Sequence, residues 1–200
     1  MRDQEIHFWT ASLINSLGQP RPEADACELE RLHKAGELAK MLGAIRDKLN
    51  LNMRLRLARV NVGGLDAPMW IEVPKPMPVF GTRAFRNASV TVYIRKTFIT
   101  RAPYGAMVVG MAHELSHVVL EALRHPLRNQ EEAVDLAAML LGFRDIFEKC
   151  STYKVRRNLG WRYVLPRNIL HLIGQTNKYR LGYLSEEEVR YAASLMRYAP

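Results

Sequence analysis

The sequence predicts an α+β fold, a small mixed sheet packed against one long apolar helix, with further helices near both ends of the chain. Three observations predict it. Strand-like alternation is confined to residues 50–100, an apolar helical run fills 106–123, and helical periodicity returns at 22–49 and 185–198. A chain of 200 residues buries roughly 70% of its unfolded surface without staples. No linker, repeat or low-complexity tract divides it, so 1–200 reads as a single domain.

The elements follow in order. From 22 to 49, Leu29, Leu32, Ala35, Leu38, Ala39, Leu42 and Ile45 recur at steps of three and four, which predicts one amphipathic helix beginning after Pro20 and Pro22. Asn50 to Asn61 alternates Leu51, Met53, Leu55 and Leu57 with Asn52, Arg54 and Arg56, a strand with a basic outer face closed by Gly63-Gly64. Met69-Trp70-Ile71-Glu72-Val73 is a second strand, stopped by the proline-rich run Pro74 to Pro78. Ser89 to Ile94, β-branched and aromatic, is a third. Thr97 to Thr100 and Pro103 then lead into the apolar helix. Near the C-terminus, Val164 to Ile173 and Ser185 to Tyr198 read as helices, the second opening on Ser185 with Glu188 three residues on, the spacing of a capping box.

Composition bounds the function. Hydrophobic residues make up 48% and charged residues 24%, values of an ordinary globular chain. No apolar run approaches the roughly 20 residues that span a bilayer, and charges occupy the first residues where a secretory signal needs an apolar segment. A cytoplasmic protein without membrane contact is expected. Cys27 and Cys150 are too few and too distant in sequence for a disulfide framework or a cysteine zinc site. The net charge of +9 allows a polyanionic partner, but it reads as dispersed, with modest concentrations at Arg54, Arg56 and Arg59 and at Lys154 to Arg167. Neither a helix-turn-helix nor an aromatic-basic RNA signature accompanies it.

The chemistry lies in His113-Glu114-Leu115-Ser116-His117. On a helix, positions i and i+4 share a face, so His113 and His117 can offer ring nitrogens to one metal ion. Glu114 projects to the side, badly placed as a ligand of that ion and well placed as a base for water beside it. The flanks, Ala106 to Ala112 and Val118 to Ala122, are apolar except for Glu121, so the helix must bury these polar groups. An unpartnered buried carboxylate costs several kcal/mol. A metal removes that problem.

Two histidines leave a zinc site incomplete. The pattern with a third histidine six residues on fails, because Leu120 stands where glycine is needed and Leu123 where histidine is needed. His125 follows, but His125-Pro126 reads as the end of the helix and His125 as a turn residue. Asn129 to Gly142 reads as the next helix, with Asn129 as N-cap. Glu131 and Asp135, four apart, share one face. Asp135, between Val134 and Leu136, is expected to be buried and paired. Glu132, third in the helix, fits a capping box with Asn129. Glu131, Glu132 and Asp135 all remain candidates for a third ligand, Glu131 first.

His113, Glu114, His117, Glu131 and Asp135 together resemble the motif set of small bacterial gluzincins, zinc peptidases of the thermolysin-like and related groups. The text around them, MAHELSHVVL followed by EEAVDLAAMLLGF, resembles compact metallopeptidase-like proteins of bacteria and mobile elements. The ImmA/IrrE-type proteins are similar but carry Glu-x-x-x-Asn where this chain has Asp135. The resemblance covers residues 103–143. It implies a zincin-like fold, Zn2+ held by His113, His117 and Glu131, and Asp135 fixing the tautomer of a ligand histidine. It further implies Glu114 as general base in hydrolysis of a protein or peptide substrate, and residues 89–94 as the strand whose free edge pairs with that substrate. Enzymes of this kind often supply a tyrosine or histidine from outside the motif to stabilise the oxyanion; Tyr163, His171, Tyr179 and Tyr183 lie in the C-terminal stretch, and the sequence singles out none of them for that role. The rival readings are a regulatory protein with a non-catalytic zinc site and a DNA-associated protein using the positive charge.

Overall fold

The computed structural model describes residues 2–61, 67–156, 176–180 and 182–198, with the backbone alone for 153–156 and 176–180. Helices α1 (Arg2–Leu17), α2 (Ala26–Lys34) and α3 (Leu38–Lys48) come first. The single helix expected over 22–49 is two. Asp25 caps α2, its Oδ1 accepting the N–H groups of Cys27 and Glu28 at 3.0 and 3.1 Å, and Gly36, at φ +70°, turns the chain between α2 and α3. The apolar spacing carries across the break because both helices pack on the same core, so periodicity alone conceals it.

Strands β1 (Arg54–Val60), β2 (Met69–Glu72) and β3 (Ser89–Arg95) form a mixed sheet in the order β1-β3-β2, with β1 parallel and β2 antiparallel to β3. Val90, Val92 and Ile94 of β3 face the core at 1% exposure or less. With neighbours on both sides, β3 has no free edge. The expectation of an open edge at 89–94 is thereby corrected, and the strand with an open side beside the motif helix is β2. The reason lies in side-chain chemistry: the most β-branched, least charged strand takes the centre, and the arginine-bearing one goes to a margin. The turn expected at Gly63-Gly64 and the helix expected over 164–173 lie outside the described residues.

After α4 (Arg83–Asn87) and α5 (Lys96–Arg101) comes α6 (Tyr104–Ala122), the axis of the molecule, in contact with α2, α3, β2 and the helices that follow it. A helix apolar all round must be covered all round. Fourteen of its residues are buried; besides Tyr104 at its start, those that are not are Gly110, Glu114, His117 and Glu121, at steps of four, three and four. Glu114, His117 and Glu121 line one cleft. A Cβ at Gly105 would overlap Cys150 Sγ, which fixes how closely the last turns of α8 (Arg144–Cys150) approach α6.

Helix α7 (Glu131–Ala138) continues through a π-helical turn, Met139–Phe143, into α8, and Gly142 at φ +108° marks the kink. The expected start at Asn129 is corrected. Consecutive turns after Pro126, with Arg128 N–H on His125 O at 3.1 Å and Gln130 N–H on Leu127 O at 2.9 Å, leave Gln130 as N-cap. Asn129 lines the cleft instead. Strands β4 (Thr152–Arg156) and β5 (Thr176–Arg180) pair antiparallel. Helix α9 (Glu186–Arg197) begins with the capping box read from the sequence, Ser185 N–H to Glu188 Oε2 at 2.7 Å and Glu188 N–H to Ser185 Oγ at 3.3 Å. Among the described residues no helix is long and apolar enough to cross a membrane.

Candidate metal centre

Three atoms converge where α6 faces α7. His113 Nε2 and His117 Nε2 are 3.2 Å apart, and Glu131 Oε2 lies 3.3 Å from the first and 3.2 Å from the second. This is a nearly equilateral triangle of two imidazole nitrogens and a carboxylate oxygen. A tetrahedral ion about 2.0–2.1 Å from each of its ligands separates them by about 3.3–3.4 Å. The triangle therefore has the size that zinc requires, and the donor set is one zinc accepts. Among the described residues this is the one group of three or more such side chains placed to hold an ion.

Each side chain is placed by a different part of the fold. His113 and His117 share a face of α6 as i and i+4. Glu131 is the first residue of α7, where the turns after Pro126 bring it over that face. Of the three candidates for a third ligand, Glu131 stands at the triangle. Glu132 points away and pairs with Arg2 Nη2 at 2.8 Å, so the capping box with Asn129 is absent. Asp135, 1% exposed, is one shell further out: its Oδ1 accepts the Nδ1–H of His113 at 2.7 Å. That bond leaves His113 Nε2 as the nitrogen that faces Glu131. His125 is remote from the triangle. It is buried, its Nδ1 accepting Leu127 N–H at 3.1 Å and its Nε2 meeting Ser16 Oγ at 3.1 Å, and it ties α1 to the end of α6.

The protein groups alone make an electrostatically tense site. Burial disfavours a charged His113, but carboxylates on both ring nitrogens, Asp135 and then Glu131, overcome it and raise the pKa to about 10. His117 is held below its usual value by burial and by its charged neighbour His113. Glu131 is held down by its hydrogen bond to His113. Glu114 is pushed up to about 7, chiefly by burial and further by Glu131, against the attraction of His113 and a hydrogen bond donated by the backbone N–H of Ile71. A half-buried carboxylate whose pKa is raised can act as a general base. Ile71 belongs to β2, so the sheet reaches the site through one amide that sequence reasoning passed over.

The cleft above the triangle has a volume of about 630 Å³, within the range of small-molecule and peptide sites. One wall is β2 and the chain after it, Met69 to Ile71 and Val73 to Met77; the other is Glu121, Arg128 and Asn129. Glu121 and Arg128 face each other at 3.6 Å. Tyr183 closes one end, its ring stacked on that of His113 with centroids 5.7 Å apart at 23°. Of the four residues considered for the oxyanion, Tyr183 lines the cleft; Tyr163 and His171 lie outside the described residues, and for Tyr179 only the backbone is described.

Tyr183 is held by Asp135. The Oδ2 of that carboxylate accepts the N–H groups of Tyr183 and Leu184 at 2.6 and 3.2 Å. Nothing in Arg180-Leu181-Gly182-Tyr183 announces this from sequence; the turn is recognisable only once Asp135 is under it. No protein-family model, curated protein or solved structure matches the chain, so the chemistry of these residues carries the functional reading.

Proposed function

We propose that the protein is a zinc metallopeptidase of zincin-like fold, hydrolysing peptide bonds in the cleft between α6 and β2. The observation that carries this is the triangle of His113, His117 and Glu131 with Glu114 beside it, half-buried and raised to about 7. Zinc at that triangle supplies a Lewis acid that polarises a substrate carbonyl and acidifies water. Glu114 takes the proton of the attacking water and returns it to the leaving amine. Asp135 keeps His113 in the tautomer that leaves Nε2 as donor, and the half-open cleft, walled by apolar β2, excludes bulk water from one side of the reacting bond. A mixed sheet with β2 beside the motif helix supports the zincin-like fold.

A purely structural zinc site closes its coordination sphere with a fourth protein ligand. Among the described residues three ligand groups converge, and the fourth direction is cleft. That favours catalysis over the reading of a silent zinc-bearing regulator. The test is Glu114→Gln, assayed for zinc content and for cleavage of a mixed peptide library on one preparation. Wild-type zinc with peptidase activity reduced at least about 100-fold supports the reading; undiminished cleavage, or no zinc in the wild type, refutes it.

A further inference from the structure

Most of the net positive charge lies in one stretch of the chain, the stretch that forms the sheet. Residues 51–103 hold nine lysines and arginines against Asp66 and Glu72, a net +7 of the chain's +9. Elsewhere several arginines sit on carboxylates, Arg2 on Glu132 and Glu188, Arg31 on Glu28 and Arg144 on Glu23. Arg54, Arg56, Arg59, Arg83, Arg86 and Lys96, by contrast, form no ion pair with any described residue.

Sheet register assigns two of these cations, Arg54 and Arg56, to one surface, whereas Arg59 is opposite Ile94 on the other. Arg54 is opposite Ser89, Arg56 opposite Thr91, Trp70 opposite Tyr93 and Glu72 opposite Thr91, and residues directly opposite share a face. The other face is the core side, with Val90, Val92, Ile94 and Met69 buried. The solvent face therefore carries two exposed, unpaired arginines on β1 and, across the sheet, the rings of Trp70 and Tyr93 stacked at 5.3 Å and 9°. Arg86 on α4 is exposed and lies two residues before Ala88, whose O accepts the Arg54 N–H at 3.1 Å beside the Arg54 end of the sheet. The acid on this face, Glu72, is engaged by the Tyr93 hydroxyl at 3.1 Å.

Guanidinium forks fit phosphates, and aromatic rings set on a sheet stack with bases. A flat three-stranded face offers neither the helix nor the two-stranded ribbon that enters a duplex groove. The large exposed apolar side chains, Phe8, Val79, Leu123, Tyr183 and Tyr198, all lie outside these strands, so the face has no wedge for a bilayer. We propose that the outer face of the β1-β3-β2 sheet binds single-stranded nucleic acid, with Arg54, Arg56 and Arg86 on phosphates and the Trp70–Tyr93 pair against a base. This site is separate from the metal triangle, although Trp70 also borders the cleft, and it does not depend on peptidase activity.

The test uses the full chain and a fluorescein-labelled oligothymidylate of about 12 nucleotides, followed by anisotropy at about 50 mM salt. Saturable binding is expected, with an affinity falling as roughly the second power of salt for three phosphate contacts. Arg54→Glu with Arg56→Glu weakens it at least about tenfold at unchanged zinc content, whereas Arg31→Glu on α2 changes it less than about twofold. Absence of binding at low salt, equal weakening by Arg31→Glu, or better competition by duplex than by single strand overturns the proposal, and leaves the arginines as protection of an edge strand. Should the double variant unfold, tryptophan fluorescence decides: the oligonucleotide quenches the wild type and quenches Trp70→Phe less, and equal or absent quenching overturns it.

Discussion

Gly182 passes so close over Asp135 that a Cβ on it would lie 2.6 Å from Oδ2 and 2.8 Å from Oδ1. Its φ of +84° is a conformation that side-chain-bearing residues adopt at a cost of about 1–2 kcal/mol. The same carboxylate orients His113 and holds the Tyr183–Leu184 amides, so the candidate ligand and the cleft tyrosine share one anchor.

Gly182→Ala is therefore expected to act at the metal. Displacing Asp135 releases His113, and zinc affinity falls on the order of 10- to 100-fold, as it does in Asp135→Asn. Competition with a chromophoric chelator measures this. Wild-type affinity in both variants would show that the anchor is irrelevant to the ion.

Glu131 and its neighbour separate ligand from bystander. Glu131→Gln should lose stoichiometric zinc, while Glu132→Gln, which removes an ion pair with the exposed Arg2, keeps it and costs less than about 1 kcal/mol of stability. Metal analysis after dialysis distinguishes them; loss of zinc from the Glu132 variant instead would exchange their roles.

The raised pKa of Glu114 makes a prediction about stability. Its folded value of about 7 lies above the ordinary 4.5, so the folded state holds the proton more tightly. The zinc-free protein then loses stability as pH climbs from about 4.5 to about 7, on the order of 2–3 kcal/mol, with the full loss present above 7. Glu114→Gln removes that penalty. In the presence of chelator its thermal midpoint should exceed that of the wild type at pH 8 and approach it near pH 4.5. A variant less stable than wild type at pH 8 would contradict this.

His125 predicts the converse pattern. Its hydrogen bonds to Ser16 and Leu127 are internal, and His125→Ala should cost about 1–3 kcal/mol in chemical denaturation while zinc content stays at the wild-type level. Zinc loss in a folded His125→Ala protein would place that residue back among the ligands.

The sequence by itself determined the motif helix, its two histidines one helical turn apart with Glu114 to the side, the three short strands and the capped last helix. All of these follow from local spacing, since i, i+4 geometry and period-two alternation are properties of a short backbone segment. Only the tertiary structure decided which acidic residue stands beside the histidines, because the turns after Pro126 set where α7 begins and so which of Glu131 and Glu132 faces inward. It also decided that β2 and not β3 borders the cleft, that the Ile71 amide meets Glu114, and that Gly182 sits on Asp135. Those contacts join segments tens of residues apart, and long-range proximity has no periodicity to read. The placing of Trp70 and Tyr93 on the face that carries Arg54 and Arg56 has the same cause: register, set by pairing between β1, β2 and β3, is written in no single strand.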